Sequence, residues 1–589
     1  MRMFIGIMMF WFSIFGYLLY FKKKSKLPNE LLLPIIFSLI GITVFISGIL
    51  NMMYIISVLI YLVGNILFFK YLYKKKIEFK KLLNPNFIIL LIIFIYISII
   101  GSKMRLLHYD NFSHWGLIIK NMFLNNRLPN FEDTIIEFKN YQPGSACFMY
   151  FFGVIAGKTE ASMIVSQNYL LISYIFSLFA FLNTKIKGFK SYIPRILIIC
   201  FYIFMLFSNI SINDLLVDTL IASMSICSFS IMYYFKNNLK KAYIYNLPIL
   251  IFLFLVKNTG IVLVGFSCLG LIYLGYKNKK LKKGILYALL SGIISCAFFY
   301  IWSRHVLYVY GDIGLESRHS LSISNIISQL RVKGLENILA FCKLYLKNFF
   351  NISSNLINKY MININIIIIL MIIFYKKHRK HFLSCLLISN ILYLLYYGIL
   401  GVMYLFSMPW SEAIILAGFY RYMMTIISII LGITLLYFIN IFIKEKKFKK
   451  SSLIIPICFI VPIFFVNIKY YIKDYSIFLG NLNYEKTASY KYDKVLGKKM
   501  FYAKDNDFYY IYAPKTSQND YGLTYHLSRY KLNTTKLLVI KNISQIDNDL
   551  DNSYTKNIII LDETESIYQY LYKNGYKDIN GLYKKEAND

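Results

Sequence analysis

The chain has 589 residues, 58% of them hydrophobic, 18% aromatic and 16% charged, with a formal net charge of +36. A mean hydropathy of +0.53 excludes an array of soluble domains, and apolar runs that are continuous rather than alternating exclude a transmembrane barrel. The positive charge excludes less than it suggests: it clusters in short linkers such as Lys22–Lys24, Lys74–Lys76, Lys277–Lys283, Lys376–Lys380 and Lys444–Lys450. That is the positive-inside pattern of a bilayer protein, so no nucleic-acid partner is expected.

Apolar runs of roughly 17–25 residues, enough to cross a ~30 Å hydrocarbon core, recur along the chain. They predict a polytopic all-α transmembrane bundle of about 14 helices. The first run, near 3–21, is followed by no small-residue cleavage site and is taken as a retained span. With the basic linkers inside, the N-terminus lies outside, and spans near 31–50, 52–73 and 86–101 complete an N-terminal unit, 1–101.

Residues 102–160 then form a first large extracytoplasmic loop. It carries Leu107-His108-Tyr109-Asp110-Asn111-Phe112-Ser113-His114-Trp115-Gly116, the densest polar chemistry in the chain. On a helix Asp110 and His114 share a face and are expected to meet. Such a pair tunes a base or contributes to a metal site; one Asp and one His are too few to define a metal, so a divalent ion stays open and no other cofactor is read. The plainer reading makes Trp115 and Tyr109 anchors of an interfacial loop. Pro143 to Gly157 is short for a span and is expected as an interfacial or re-entrant helix on the outer side.

Transmembrane helices over 161–303 follow, near 161–183, 193–209, 214–235, 242–256, 260–276 and 284–303. Asp214 and Asp218 are expected one turn apart at the outer start of a helix, on one face. Lys257-Asn258-Thr259-Gly260 interrupts two apolar runs at the outer boundary. A tight turn with a snorkelling Lys257 explains it, and so does a cation held for a lipid phosphate. A second extracytoplasmic loop, 304–360, contains Arg304, His305, Arg318 and His319 and an amphipathic stretch around Ile323 to Phe350. C-terminal transmembrane helices over 361–468 lie near 362–375, 382–405, 422–443 and 452–468. Between two of them Trp410, Glu412, Arg421 and Tyr422 sit at an outer boundary, where aromatic-belt anchoring and a Glu412–Arg421 staple are the plain reading. An even number of spans places the C-terminus outside as well.

Residues 469–589 are more polar. Strand patterns at 507–512 and 557–561 and helical patterns at 521–531 and 563–574 predict a small extracytoplasmic α/β or α+β domain. Its tyrosines 509, 510, 512, 521, 525 and 530 are candidates for stacking on sugars or for core packing. The eight cysteines are scattered and form no CxxC pair, so they read as small apolar residues.

Taken together, the polar groups collect on the outer face. Tyr109-Asp110-Asn111-Phe112-Ser113-His114-Trp115, Tyr141-Gln142-Pro143-Gly144, Asn213-Asp214 with Asp218, Lys257-Asn258-Thr259-Gly260, and Glu412-Ala413 with Arg421-Tyr422 resemble the GT-C class of polytopic glycosyltransferases. The resemblance covers roughly 86–470. It implies a polyprenyl-phosphate sugar donor, a surface glycan acceptor on the outer face of a cell membrane, and Asp110 as base. His114 stands beside that base, and Lys257, Arg421, Arg318 and His319 are donor-phosphate candidates supported by Asp214, Asp218, Glu412, Trp115 and Tyr422. Two features depart from the class: Asn111 follows a single Asp110 where many members pair two acids, and the loop follows about four spans rather than one. The rival readings are a flippase or exporter of lipid-linked saccharides, a polysaccharide polymerase, and a sensory or structural protein that binds wall glycan.

Overall fold

The computed structural model describes residues 2–74, 83–182, 189–208, 212–311, 323–351, 355–445, 453–465, 484–497, 507–547, 555–579 and 581–585. Among them, 10 helices are long and apolar enough to cross a membrane, and the architecture is a polytopic helical bundle. Its first half comprises α1 (Arg2–Ser25), α2 (Asn29–Ile49), α3 (Met53–Lys74), α4 (Pro85–Gly101), α5 (Gly116–Asn125), α6 (Gly144–Ala156), α7 (Glu160–Phe176), α8 (Phe189–Ser208) and α9 (Asp218–Tyr234). The second half comprises α10 (Leu239–Val256), α11 (Gly260–Lys277), α12 (Leu281–Tyr310), α13 (Ile323–Phe350), α14 (Leu356–Phe374), α15 (Arg379–Phe406), α16 (Phe419–Lys444) and α17 (Ile454–Phe465). Of the expected spans, α4, α8, α9 and α17 are not among the ten.

The bundle has two unlike ends. Lys22, Lys23 and Lys24 fill the last turn of α1, and Lys277 and Lys444 end α11 and α16. At the opposite end Met3, Tyr54 and Ser102 line one cavity, so the start of α1, the start of α3 and the end of α4 lie together. This second end also bears the 102–143 segment.

Helix α6 is buried in the bundle rather than laid along its surface. Its aromatic face meets α1, α2 and α3: Phe152 lies 5.1 Å from Phe10, Phe148 4.9 Å from Phe37, and Phe151 stacks on Tyr61 at 4.2 Å. Both of its ends stay at the loop-bearing end. A Cβ on Gly144 would sit 2.5 Å from the Leu255 carbonyl at the close of α10, and one on Gly6 would meet Ile155 and Ala156.

Helix α12 runs past the span expected to end near 303. Trp302 and Val306 keep its buried face, and Trp302 Nε1 donates to the Asn140 carbonyl at 3.1 Å. Nothing breaks the helix before Gly311, whose φ of 64° ends it. In α13, Gly334 (φ 67°, ψ 168°) separates two helical segments. Just before it, Lys333 Nζ donates to the carbonyls of Tyr404, Leu405 and Met408 at 2.9, 2.6 and 2.7 Å, which satisfies the end of α15.

Residues 488–585 form α18 (Ala488–Leu496), β1 (Asp507–Tyr512), α19 (Tyr521–Leu532), β2 (Leu537–Ile540), β3 (Thr555–Ile560), α20 (Glu565–Lys573), β4 (Tyr576–Ile579) and β5 (Leu582–Lys585). The sheet order is β2-β1-β3-β5-β4. β1 pairs parallel with β2 and β3, and β5 pairs antiparallel with β3 and β4. Tyr509, Tyr510, Tyr512 and Tyr530 are buried while Tyr521 is exposed, so four of the tyrosines considered for sugar stacking are packing residues. Helix α19 faces the bundle.

Candidate functional site

The polar motif folds as a wide turn. Asn111–Trp115 is a π-helical segment closed by the Gly116 N–H donating to the Asn111 carbonyl. A Cβ at Gly116 would lie 2.7 Å from that oxygen, so glycine is what permits the closure. Single π-turns of this kind re-aim side chains and recur at functional sites. The altered register explains why the expected Asp110–His114 hydrogen bond is replaced: His114 Nδ1 instead bonds Ser113 Oγ at 2.7 Å.

Asn111, wholly buried, ties this turn to the segment before α9. Its Nδ2 donates to Asp214 Oδ1 at 3.2 Å, and its Oδ1 accepts the Leu215 N–H at 2.9 Å. Other side chains serve the same segment. Asn168 Nδ2 donates to the Ile212 carbonyl at 2.8 Å, Gln167 Nε2 to the Leu216 carbonyl at 3.3 Å, and Asn213 Nδ2 to the Arg105 carbonyl at 3.0 Å. Because its backbone is satisfied from outside, 212–217 has no need of helical pairing. Asp214 therefore does not share a helix face with Asp218 as expected; α9 begins at Asp218 itself.

Four charged groups from distant parts of the chain then meet in sequence. Asp110 Oδ2 lies 2.9 Å from Arg421 Nη1, Arg421 Nε 3.5 Å from Asp218 Oδ2, and Asp218 Oδ1 2.5 Å from Lys257 Nζ. Arg421 stands in the first turn of α16, which Gly418 (φ 71°) opens. Lys257 stands in the turn joining α10 and α11. The Tyr422 ring lies 5.1 Å from the Lys257 ammonium and 5.3 Å from the Arg421 guanidinium, and Arg421 Nη2 donates to its hydroxyl at 3.4 Å. Only the Asp218 side chain is nearly closed to solvent, at 3% exposed, against 18% for Lys257, 22% for Asp110 and 26% for Arg421. Both ends of the row, Asp110 and Lys257, are thus partly accessible, with Asp218 buried between the two cations. Glu412 lies in the single turn Trp410–Ala413, and Arg421 engages Asp110 and Asp218. Arg318 and His319 lie outside the described residues.

Burial raises the Asp110 carboxyl, and the positive groups around it, at His114, Arg421 and His108, more than reverse this, leaving it below the usual aspartate value. Burial drives the His114 imidazole down to about 3. Of the three positive groups around Asp110, the Arg421 guanidinium is the one that is permanently charged, and it also hydrogen-bonds the carboxyl. The His114 ring sits among Phe138, Tyr141 and Trp115 at 4.8, 5.0 and 5.2 Å. Trp115 is buried in that cluster, not spread on a membrane surface as an anchor would be.

The roles of Ser113, Asn111 and α19 were not foreseen. Tyr109 meets His526 edge to face at 4.8 Å, and Phe112 lies 5.3 Å from Tyr530. Arg529 Nη2 donates to the Ser113 carbonyl at 3.1 Å and pairs with Glu137. A helix from one end of the chain therefore holds the motif from above. Among the described residues no three His, Cys, Asp or Glu side chains gather as a metal site would require. No family model, curated protein or solved structure matches this chain.

Proposed function

We propose that the chain is a membrane glycosyltransferase that moves a sugar from a polyprenyl-phosphate donor to a surface glycan acceptor. The observation that carries this reading is the convergence of Asp110, Arg421, Asp218 and Lys257 into one partly accessible row of charges. A lipid-phosphate sugar keeps its chain in the bilayer and its C1 at the headgroup plane, so its chemistry belongs at the end of the bundle. The positive-inside bias assigns the lysine-rich end to the cytoplasm and this end to the outside. With about 14 crossings, both termini and the C-terminal sheet lie there too.

In the reaction the acceptor hydroxyl oxygen attacks C1 and its proton passes to Asp110. The bond from C1 to the phosphate oxygen breaks, and the lipid phosphate leaves with the electron pair. Direct displacement inverts C1. The sugar passes through an oxocarbenium-like state, as in glycoside hydrolysis, while Arg421 and Lys257 receive the charge growing on the phosphate. Arg421 gives the site a resting state. An arriving phosphate competes with Asp110 for its guanidinium, and the carboxylate thus released is free to take a proton. His114, neutral and packed among aromatic rings, positions the turn that carries Asp110. Asp218 stays with the two cations and keeps them aligned.

Purified protein given a polyprenyl-phosphate sugar and glycan acceptors tests this directly. Asp110→Asn lowers turnover by roughly 10²–10⁴-fold, the worth of a positioned base, with membrane insertion unchanged. Retained turnover removes Asp110 from the role. Translocation of the intact lipid-linked sugar without bond cleavage identifies a carrier instead.

A further inference from the structure

A cavity of about 920 Å³ opens between the loop-bearing end of the bundle and the C-terminal domain. Its membrane side is formed by the ends of α1, α3 and α4, its other side by α18 and α19. It contains none of Asp110, Asp218, Lys257 or Arg421. Its walls instead carry Arg105, Lys120, Lys158 and Lys531 against only Glu160 and Asp493, leaving two positive charges in excess.

The pairing shows where that excess lies. Lys531 Nζ is compensated, 3.2 Å from Glu160 and 2.9 Å from Asp493. Arg105 is held loosely, its Nε 3.8 Å from Asp493. Lys120 donates to the carbonyls of Tyr530 and, at 3.4 Å, Lys531. Lys158 donates to the Phe123 carbonyl at 2.6 Å and Asn126 Oδ1 at 2.7 Å. The bonds of these two ammonium groups thus go to neutral oxygens, and each uses two of its three N–H donors. A buried cation is costly, and Lys120 shows that cost: burial, and then the neighbouring Lys531, take its amine down to about 7 against the opposing pull of Glu160.

We propose that this cavity binds a phosphoryl group, a phosphate ester or diphosphate, seated against Lys120, Lys158 and Arg105. The excess charge matches a dianion, and cations spread over several walls suit a group with many oxygens better than a single carboxylate. The proposal is independent of glycosyl transfer at Asp110 and makes this a second anion site. A lipid headgroup and a soluble phosphorylated compound present the same chemistry, and the position at the helix ends admits both.

The test uses full-length protein. Inorganic pyrophosphate is titrated into detergent-solubilised protein by calorimetry, and lipid retention is compared by native mass spectrometry in phosphatidylglycerol and phosphatidylcholine nanodiscs. Pyrophosphate binding indicates a soluble phosphoryl ligand, and selective phosphatidylglycerol retention a lipid headgroup; either supports the site. Arg105→Gln weakens the observed binding about tenfold and Glu160→Gln strengthens it by a similar factor, one charge-assisted contact each. Non-specific damage to the fold would weaken both. Absence of both kinds of binding, or a shift of the two variants in the same direction, overturns the proposal. Asp110→Asn leaves the affinity unchanged, so the site is tested apart from transfer.

Discussion

Asp218 is a carboxylate with almost no solvent contact, held by two cations, one in the turn between α10 and α11 and one at the start of α16. Removing one member of such a set strands a buried charge and costs about 3–5 kcal/mol, so structural need and chemistry are joined in the same residues. A pH profile separates them. Asp110 acts only when ionised, and its carboxyl is held below the ordinary value, so activity is present at and above that value and is lost as pH falls through the lowered one. Arg421→Gln removes the charge that holds it down, and the acid limb of the residual kcat/KM moves toward higher pH. Arg421→Lys keeps the charge but loses the planar fork that reaches both Asp110 and Asp218; its rate falls while the limb stays low. A limb unmoved in Arg421→Gln would show that Asp110 is not the titrating base. Asp110, Asp218, Lys257 and Arg421 were legible in the sequence because each interrupts or borders an apolar run, where a charge needs a reason. Asn111 and Ser113 were not, since a buried amide that bonds another segment and a hydroxyl that bonds the imidazole beside it carry no pattern of their own.

Among the elements, most helices were legible because spans are written as continuous apolar runs. The packing between them rests on small residues that hydropathy does not register. α1 and α3 approach so closely that a Cβ on Gly16 would lie 1.9 Å from the Gly64 carbonyl, and one on Gly64 2.1 Å from Ser13 Oγ. Small residues at such crossings are how helices associate in lipid. Gly64→Leu therefore forces α1 and α3 apart and reduces the folded, monodisperse fraction on size exclusion by several-fold; Gly265→Leu, where a Cβ meets nothing within 4 Å, is the control and leaves it unchanged. Equal recovery of both would show that the α1–α3 contact is loose. Where element boundaries departed from expectation the cause was tertiary. Asp214 left the helix because Asn111, Gln167 and Asn168 bond its segment. Helix α6 keeps its expected bounds and takes the re-entrant rather than the interfacial form, because the aromatic faces of α1, α2 and α3 surround it.

Across the whole molecule, the C-terminal domain is bound to the motif-bearing segment by buried charge. The Arg529 side chain is fully buried while its partner Glu137 is 49% exposed, and burial lowers the guanidinium to about 10. Next to it, Lys120 reaches the end of α19 and Lys531 reaches Glu160 and Asp493. None of this was legible from sequence, since Glu137, Ser113 and Glu160 lie hundreds of residues from the cations they meet and an arginine on a helix ordinarily points to water. Arg529→Leu removes the bond to the Ser113 carbonyl and leaves Glu137 with solvent to turn to, so the loss is about 1–3 kcal/mol, a buried hydrogen bond to a charged group. Its expected signature is local: amide exchange rises across 108–116 while the protection of α7 and α9 is kept, and glycosyl transfer falls with it. Glu137→Gln, which keeps the hydrogen-bonding shape at a half-exposed position, has a smaller effect on both. If 108–116 stays protected in Arg529→Leu, the turn carrying Asp110 is held by Asn111 and its aromatic neighbours alone. The C-terminal domain would then steady the turn through His526 and Tyr530 rather than through its buried arginine.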